Sequence, residues 1–292
     1  MNPLDKFLVL GSTGMLGQSV IKKLQSQSIN YLQPSSLELN LTRRTDIIDY
    51  IYTHKPNCII NCAANVNLQH CEDNPTKALQ VNATPSKHIL SCIDEIPFKY
   101  VYISTDHYYT NENSLKHSEN HPIELLNSYS KSKYEGEQFA LKNKNSLCLR
   151  TNIIGFRNNL KKPTFIEWAI NSILTDTHIY LFDDFFTSPI STNQFVKYMF
   201  MLINNNESGV INLASSTVSN KKDFILMLAK KLGVKYDNFE TKSITTLKGL
   251  KRANSLGLNV EKCESILKCK LPDMTKVIEQ VVSEYHKLKN EK

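Results

Sequence analysis

Tyr129 and Lys133 stand four places apart in the stretch NSYSKSKYEGE, residues 127–137. On a helix, positions i and i+4 share one face about a turn apart, so the phenol and the ammonium would enter the same space. A positive charge nearby favours the phenolate, which brings a tyrosine toward proton transfer near neutral pH. A free phenol titrates near 10 at about 1.4 kcal/mol per unit, so full tuning needs roughly 3–4 kcal/mol. The same spacing also fits a solvated helix of a lysine-rich protein, so the pair gains meaning only from its company.

Two further stretches supply that company. Thr105, in YISTDHYY (102–109), would end an apolar strand at its carboxyl end, where open α/β sheets bind ligands. A strand-end hydroxyl bonding backbone is the competing reading. GSTGMLG places Gly11, Gly14 and Gly17 directly after the apolar run FLVL and at the start of a helical pattern. Glycines there allow a tight turn, close approach of a pyrophosphate to backbone N–H groups, and close helix–strand packing. Thr13, Met15 and Leu16 fall within that turn, and the helix N-terminus adds favourable electrostatics for phosphate. An acid at the end of the second strand would bond a ribose 2′-hydroxyl. The stretch YLQPSS has none, and Ser35 and Ser36 with Arg43 and Arg44 nearby suit a 2′-phosphate, which tilts the expected cofactor from NAD toward NADP. In CIINCAAN (58–65), the small residues Cys62, Ala63 and Ala64 follow a strand and would let a cofactor lie against backbone.

These residues need a frame. Strands are predicted at 7–10, 30–32, 58–61, 100–104 and 146–150, and helices at 15–26, 45–54, 76–94 and around Tyr129. Strands alternating with helices argue for an α/β fold, a doubly wound parallel sheet. Runs apolar on both faces, such as FLVL and CIIN, belong in the middle of it. After residue 151 helices are predicted at 164–174, 193–203, 221–232 and 273–289, with strand-like HIYLF and GVINLA between them. No linker or low-complexity tract separates the two parts, so they should share an extensive interface.

Bulk properties exclude several classes. Of the 292 residues 41% are hydrophobic and 22% charged, as in an ordinary soluble globular protein, and no apolar run approaches a membrane span. FLVL is too short for a signal-peptide core, so a cytoplasmic protein is expected. Seven cysteines without a CxxC pair or a Cys/His cluster of zinc spacing point to reduced, buried thiols and no metal. Residues 217–292 carry 16 Lys and Arg against 9 Asp and Glu, the source of the net +7. That surplus suits an anionic nucleotide diphosphate, although a solvated surface is the weightier reading. No basic stripe interleaved with aromatics suggests nucleic acid.

In this order the motifs GSTGMLG, CIINCAAN, CED (71–73), VNAT (81–84), YISTDHYY, YSKSK (129–133), LRT (149–151) and SPIS (188–191) resemble the extended short-chain dehydrogenase/reductases. The chain is most similar there to the dTDP-4-dehydrorhamnose reductases. The resemblance implies a Rossmann-like fold and a catalytic set of Thr105, Tyr129 and Lys133. Tyr129 would protonate a sugar C4 oxygen as hydride arrives from the nicotinamide, Lys133 would hold the cofactor ribose and lower the phenol pKa, and Thr105 would bond the reacting oxygen. It also implies cofactor contacts at Ser36, Asn40 and Leu41, with Asn40 standing where relatives often carry an acid near the adenine. Substrate contacts are implied at Thr105, Asp106 and Ile153. Related dehydratases carry Asp-Glu after the threonine; here Asp106 is followed by His107, which favours plain carbonyl reduction. Ile153 replaces a tryptophan that lines the sugar pocket of related reductases, and Gln69-His70 stand where they often have Asp-Lys, so the sugar should differ.

The implied activity is reduction of a nucleotide-activated 4-keto-6-deoxy sugar for polysaccharide synthesis. The expected dinucleotide-binding domain is 1–151 with a contribution from 188–216, and the substrate part is 152–187 and 217–292. The expected partner is a nucleotide-diphosphate sugar, with a homodimer allowed and neither nucleic acid nor membrane. An NAD-dependent epimerase of the same superfamily, and a non-catalytic subunit like the methionine adenosyltransferase beta subunit, are the alternatives.

Overall fold

A computed structural model describes residues 6–290 apart from 158, 160, 161 and 248. Its centre is a six-stranded sheet. Strands β1 (Lys6–Leu10), β2 (Asn30–Leu32), β3 (Cys58–Asn61), β4 (Lys99–Ile103) and β5 (Leu147–Arg150) are joined by an edge strand, Gly209–Asn212. The order across the sheet is 209–212, β5, β4, β3, β1, β2, and every pairing is parallel. Connections run one way from β1 and the other way from β3, so the crevice beyond the carboxyl ends of β1 and β3 is the switch point where such sheets bind ligands.

The strand sequences dictate burial on both faces. Phe7 and Val9 enter one core with Ile60, Val101 and Leu149, while Leu8 and Leu10 enter another with Ile59, Tyr100 and Cys148. Successive side chains of a strand point to opposite faces, so a run such as FLVL must be covered twice. On the first face lie α1 (Met15–Ser26), through Leu16, Val20 and Leu24, and α8 (Thr192–Asn204), through Phe195 and Met199. Helix α2 (Arg44–His54) covers the second face through Ile47 and Ile51.

One predicted helix, 76–94, is instead two, preceded by a further short one. The chain forms α3 (Leu68–Asp73), α4 (Pro75–Asn82) and α5 (Thr84–Leu90). Pro75 and Pro85 sit in the opening turns of α4 and α5. Proline lacks the N–H that a continuous helix would need there and disfavours helical geometry in the residue before it. Helix α6 (Ser128–Leu141) carries Tyr129 and Lys133, as the spacing predicts.

A second apolar core joins α7 (Phe165–Leu174), α9 (Lys221–Lys231) and α11 (Met274–Asn290) around Ile170, Phe224, Leu228 and Val277. Between them Leu258 and Val260, with Cys263 and Leu267 of α10 (Glu261–Leu267), return to the first core. All seven cysteines are free and five are buried. No helix among the described residues is long and apolar enough to cross a membrane.

Candidate active site

Helix α6 is fixed at three levels before its chemistry begins. Asn127 and Ser130 form a reciprocal capping box at its start, and the Ser128 N–H donates to Glu72 at 2.8 Å. Gly136 lets the helix approach β4: a Cβ there would fall 2.3 Å from the Tyr102 hydroxyl and 2.4 Å from the Asn82 carbonyl oxygen. Glu137, fully buried, receives Arg150 Nη2 at 2.7 Å and Nε at 3.1 Å, and the Ser104 hydroxyl at 2.6 Å. Tyr129, Lys133 and Glu137 therefore form one stripe at i, i+4 and i+8, pressed against the ends of β4 and β5.

Lys133 is buried, and its ammonium donates to the Ile103 carbonyl at 2.6 Å and lies 4.3 Å over the Tyr102 ring. Burial lowers it to about 8, with Glu137 and Cys62 working the other way. Tyr129 is buried too, and burial raises its phenol well above the ordinary value; the Thr105 side chain opposes the shift and Asp106 reinforces it. The expectation that Lys133 lowers this phenol does not hold in the protein alone. The ammonium points at a backbone carbonyl, and desolvation governs Tyr129. Cys62, whose thiol burial pushes up to about 12, lies within the field of Lys133.

The glycine turn meets the other side of the crevice. Gly11 has φ +71°, and a Cβ on it would fall 2.7 Å from both the Cα and N of Ala63. Gly17 is equally constrained, at 2.3 Å from the Gly11 carbonyl oxygen. Helix α1 has no side-chain cap and no acid in its first turn, which leaves its N–H groups for an anion. A cleft of about 310 Å³ opens there, lined by Gly11, Thr13, Ser35, Ser36, Asn40 and Ala63 among others, including Leu41. The donor set and the glycine cradle fit a dinucleotide.

Several expected contacts also have partners within the fold. Leu16 is in the first core, Met15 lies 3.4 Å from where a Gly155 Cβ would be, and Arg43 pairs with Asp46 at 3.4 Å. The Asn40 side-chain oxygen accepts from Thr42 N and Oγ1, which holds the loop in shape. One acid that the reading of YLQPSS passes over stands beside the cleft: the Glu38 carboxylate accepts from Ser35 N at 2.7 Å. The spacing of Ser35 and Glu38, that of a capping box, was the available signal.

The far wall comes from distant parts of the chain. Asp106 is buried and burial raises its carboxyl to about 7, opposed first by the Asn152 amide, which donates to it at 2.7 Å, and also by Lys221. Lys221 opens α9, lies 4.2 Å over the Phe165 ring, and is lowered to about 8 by burial with Asp106 opposing. His107 meets the Tyr129 ring edge-on at 5.4 Å, and burial, Lys221 and Arg252 together lower it to about 4, so it is neutral. Its Nδ1 is buried without a hydrogen-bond partner. Thr105, Asp106, Tyr129, Lys133 and Cys62 thus converge. Ile153 is half-buried and packs against the first core, while its neighbour Asn152 reaches Asp106. His70 is exposed and takes the Asn65 amide at 2.7 Å. Asn152, Lys221 and Arg252 were not singled out in the sequence, because nothing local marks a residue that meets Asp106 or His107 from 46 to 145 positions away.

Comparison with known proteins adds four observations. The family profile described as RmlD substrate binding domain matches residues 5–287. A probable low-salt glycan biosynthesis reductase, Agl14 of Haloferax volcanii, is 23% identical over 294 residues, covering 95% of this chain and 98% of that protein. The crystal structure of a dTDP-4-dehydrorhamnose reductase from Clostridium acetobutylicum superposes with a TM-score of 0.88 at 21% identity, over 96% of this chain and 99% of that one. A second, from Bacillus anthracis in complex with NADP, gives 0.87 at 20% identity with the same coverage.

Proposed function

This chain belongs to the RmlD substrate binding domain family, and on that footing we propose that it is an NAD(P)H-dependent reductase of a nucleotide-activated 4-keto-6-deoxy sugar, acting in glycan synthesis. The observation that carries the reading is the grouping of Thr105, Tyr129 and Lys133, all buried, at the strand ends facing the glycine cradle. The nicotinamide, when bound, supplies the hydride. Gly11, Thr13, Ser36 and Ala63 would hold the dinucleotide, with Ser35 and Ser36 favouring NADPH slightly.

The chain's own residues do the rest. Tyr129, held protonated at neutral pH, donates its phenolic proton to the C4 oxygen as charge develops there. Thr105 donates a second hydrogen bond to that oxygen and keeps it in place. Lys133 turns from the Ile103 carbonyl to a ribose hydroxyl and stabilises the phenolate left behind. Asp106 and neutral His107, the latter with an unpartnered Nδ1, meet sugar hydroxyls. Lys221 and Arg252 face the diphosphate. Residues 152–187 and 217–292 contribute that substrate wall, and 1–151 with 188–216 the dinucleotide half.

The test is NADPH oxidation against a panel of nucleotide 4-keto-6-deoxy sugars, with wild type and Tyr129→Phe. One sugar should turn over, and the variant should bind NADPH normally while turning over about 10²-fold more slowly. No oxidation with any member of the panel, or normal turnover in Tyr129→Phe, overturns the reading.

A further inference from the structure

A cluster outside the crevice has the makings of a metal site. On the segment between β4 and α6, the Glu112 carboxylate lies 3.3 Å from His117 Nδ1 and 3.0 Å from His121 Nε2. One ligand atom from each of the three residues lies within 4.8 Å of the other two. His117 is fully buried and stacked on Tyr109, ring centroids 4.0 Å apart and nearly parallel, so its ring cannot turn freely.

The hydrogen bonds fix which nitrogen carries the proton. The Ser255 hydroxyl spends its only hydrogen on the Asn113 carbonyl oxygen at 2.8 Å. Toward His117 Nε2, 3.0 Å away, it can only accept, so Nε2 carries the hydrogen. Nδ1 then presents a lone pair to the Glu112 carboxylate, and it is buried with no hydrogen-bond partner. Two electron-rich atoms face each other, an arrangement that a cation between them completes.

We propose that Glu112, His117 and His121 bind a zinc ion, with the fourth position open to solvent. Zinc bonds of 2.0–2.1 Å at tetrahedral angles put neighbouring ligand atoms about 3.3 Å apart, close to the separations from Glu112. Two imidazoles and one carboxylate select a borderline cation over magnesium or calcium. The His117–Ser255–Asn113 relay is the outer support that metal-bound histidines require. Entry is open, since the side chains of Glu112 and His121 are 38% and 25% exposed. The sequence expectation of no metal looked for cysteines and passed over His117 and His121, four residues apart, because the glutamate joins them only in the fold.

The ion would brace one wall of the substrate cleft. His117 N–H donates to the Gly257 carbonyl and Asn259 N–H to the His117 carbonyl, both at 2.9 Å. Asn111 N–H donates to the Asn254 side chain, two residues from Arg252. A metal at this point would stiffen the 111–121 segment, which these bonds tie to the 252–259 segment.

The full chain, treated with a chelator and dialysed, is titrated with zinc chloride alone and separately with cobalt(II) chloride alone. One equivalent should bind, and the cobalt form should show weak ligand-field bands without a thiolate charge-transfer band. Glu112→Gln and His121→Gln alter exposed or half-exposed side chains, and each should fold with an unchanged circular dichroism spectrum and bind at least about tenfold more weakly. Absence of saturable binding, a thiolate band, or undiminished affinity in both folded variants overturns the site.

Discussion

Lys133 and Lys221 both titrate near 8, yet they stand on different sides of the reaction. Above that pH each loses its proton; Lys133 then stops stabilising phenolate, and Lys221 stops attracting diphosphate. We therefore expect kcat to fall above about pH 8 in wild type. Lys133→Met should abolish that limb at a lower overall rate. Lys221→Met should keep the kcat limb and act on kcat/KM instead. Initial rates from pH 6 to 10 separate the two, and a kcat limb surviving in Lys133→Met removes that lysine from the chemistry. Glu38 governs a second choice. Its carboxylate, held below its ordinary pKa chiefly by the Ser35 backbone bond, would repel a 2′-phosphate bound at Ser35 and Ser36. Glu38→Gln should raise the NADPH-to-NADH preference about fivefold, the factor expected of one unit charge near 4 Å in water. Unchanged discrimination would place the ribose elsewhere. At this scale the helix pair and Thr105 were legible because their spacing and strand-end position are local properties. The state of Tyr129 was not, since burial depends on which walls close over it.

Among the elements, α6 decides whether the site exists, and a buried ion pair anchors it beside its apolar contacts. Breaking such a pair leaves one charge without a partner in the interior, which costs about 3–5 kcal/mol. Glu137→Gln should lower unfolding free energy by about 3 kcal/mol in urea titration, through the stranded Arg150 guanidinium. A loss no larger than that of a surface substitution would mean that Arg150 finds other partners, of which Tyr109 and the Glu119 carbonyl are at hand. The elements themselves were readable where periodicity was long and uninterrupted, as in α1 and α11. The region 76–94 was misjudged because its apolar spacing continues across Pro85, and hydrophobic periodicity carries no information about a missing N–H. The short pairs Ile153–Ile154 with Ile190–Ser191, and Phe186–Thr187 with Ser255–Leu256, lie below the length at which alternation can be seen.

For the whole molecule, a dinucleotide that binds only the folded chain must stabilise it by mass action. At 100 times Kd the gain is about 2.7 kcal/mol, which for a chain of this size corresponds to a Tm rise of roughly 5 °C. NADPH should produce that shift in a thermal melt and free adenine should not; no shift at saturating NADPH would contradict a preformed cleft at Gly11–Ala63. The parallel order of the sheet has another outcome, in time rather than in space. β5 ends at Arg150, but the strand that pairs with its free side begins only at Gly209. The ribosome adds about 5–20 residues per second, so roughly 60 residues of delay leave that flank open for about 3–12 s. During that interval Leu147–Arg150 offers unpaired backbone groups to any neighbouring nascent chain. The hazard of this topology therefore falls during translation, and it ends when Gly209–Asn212 docks on β5.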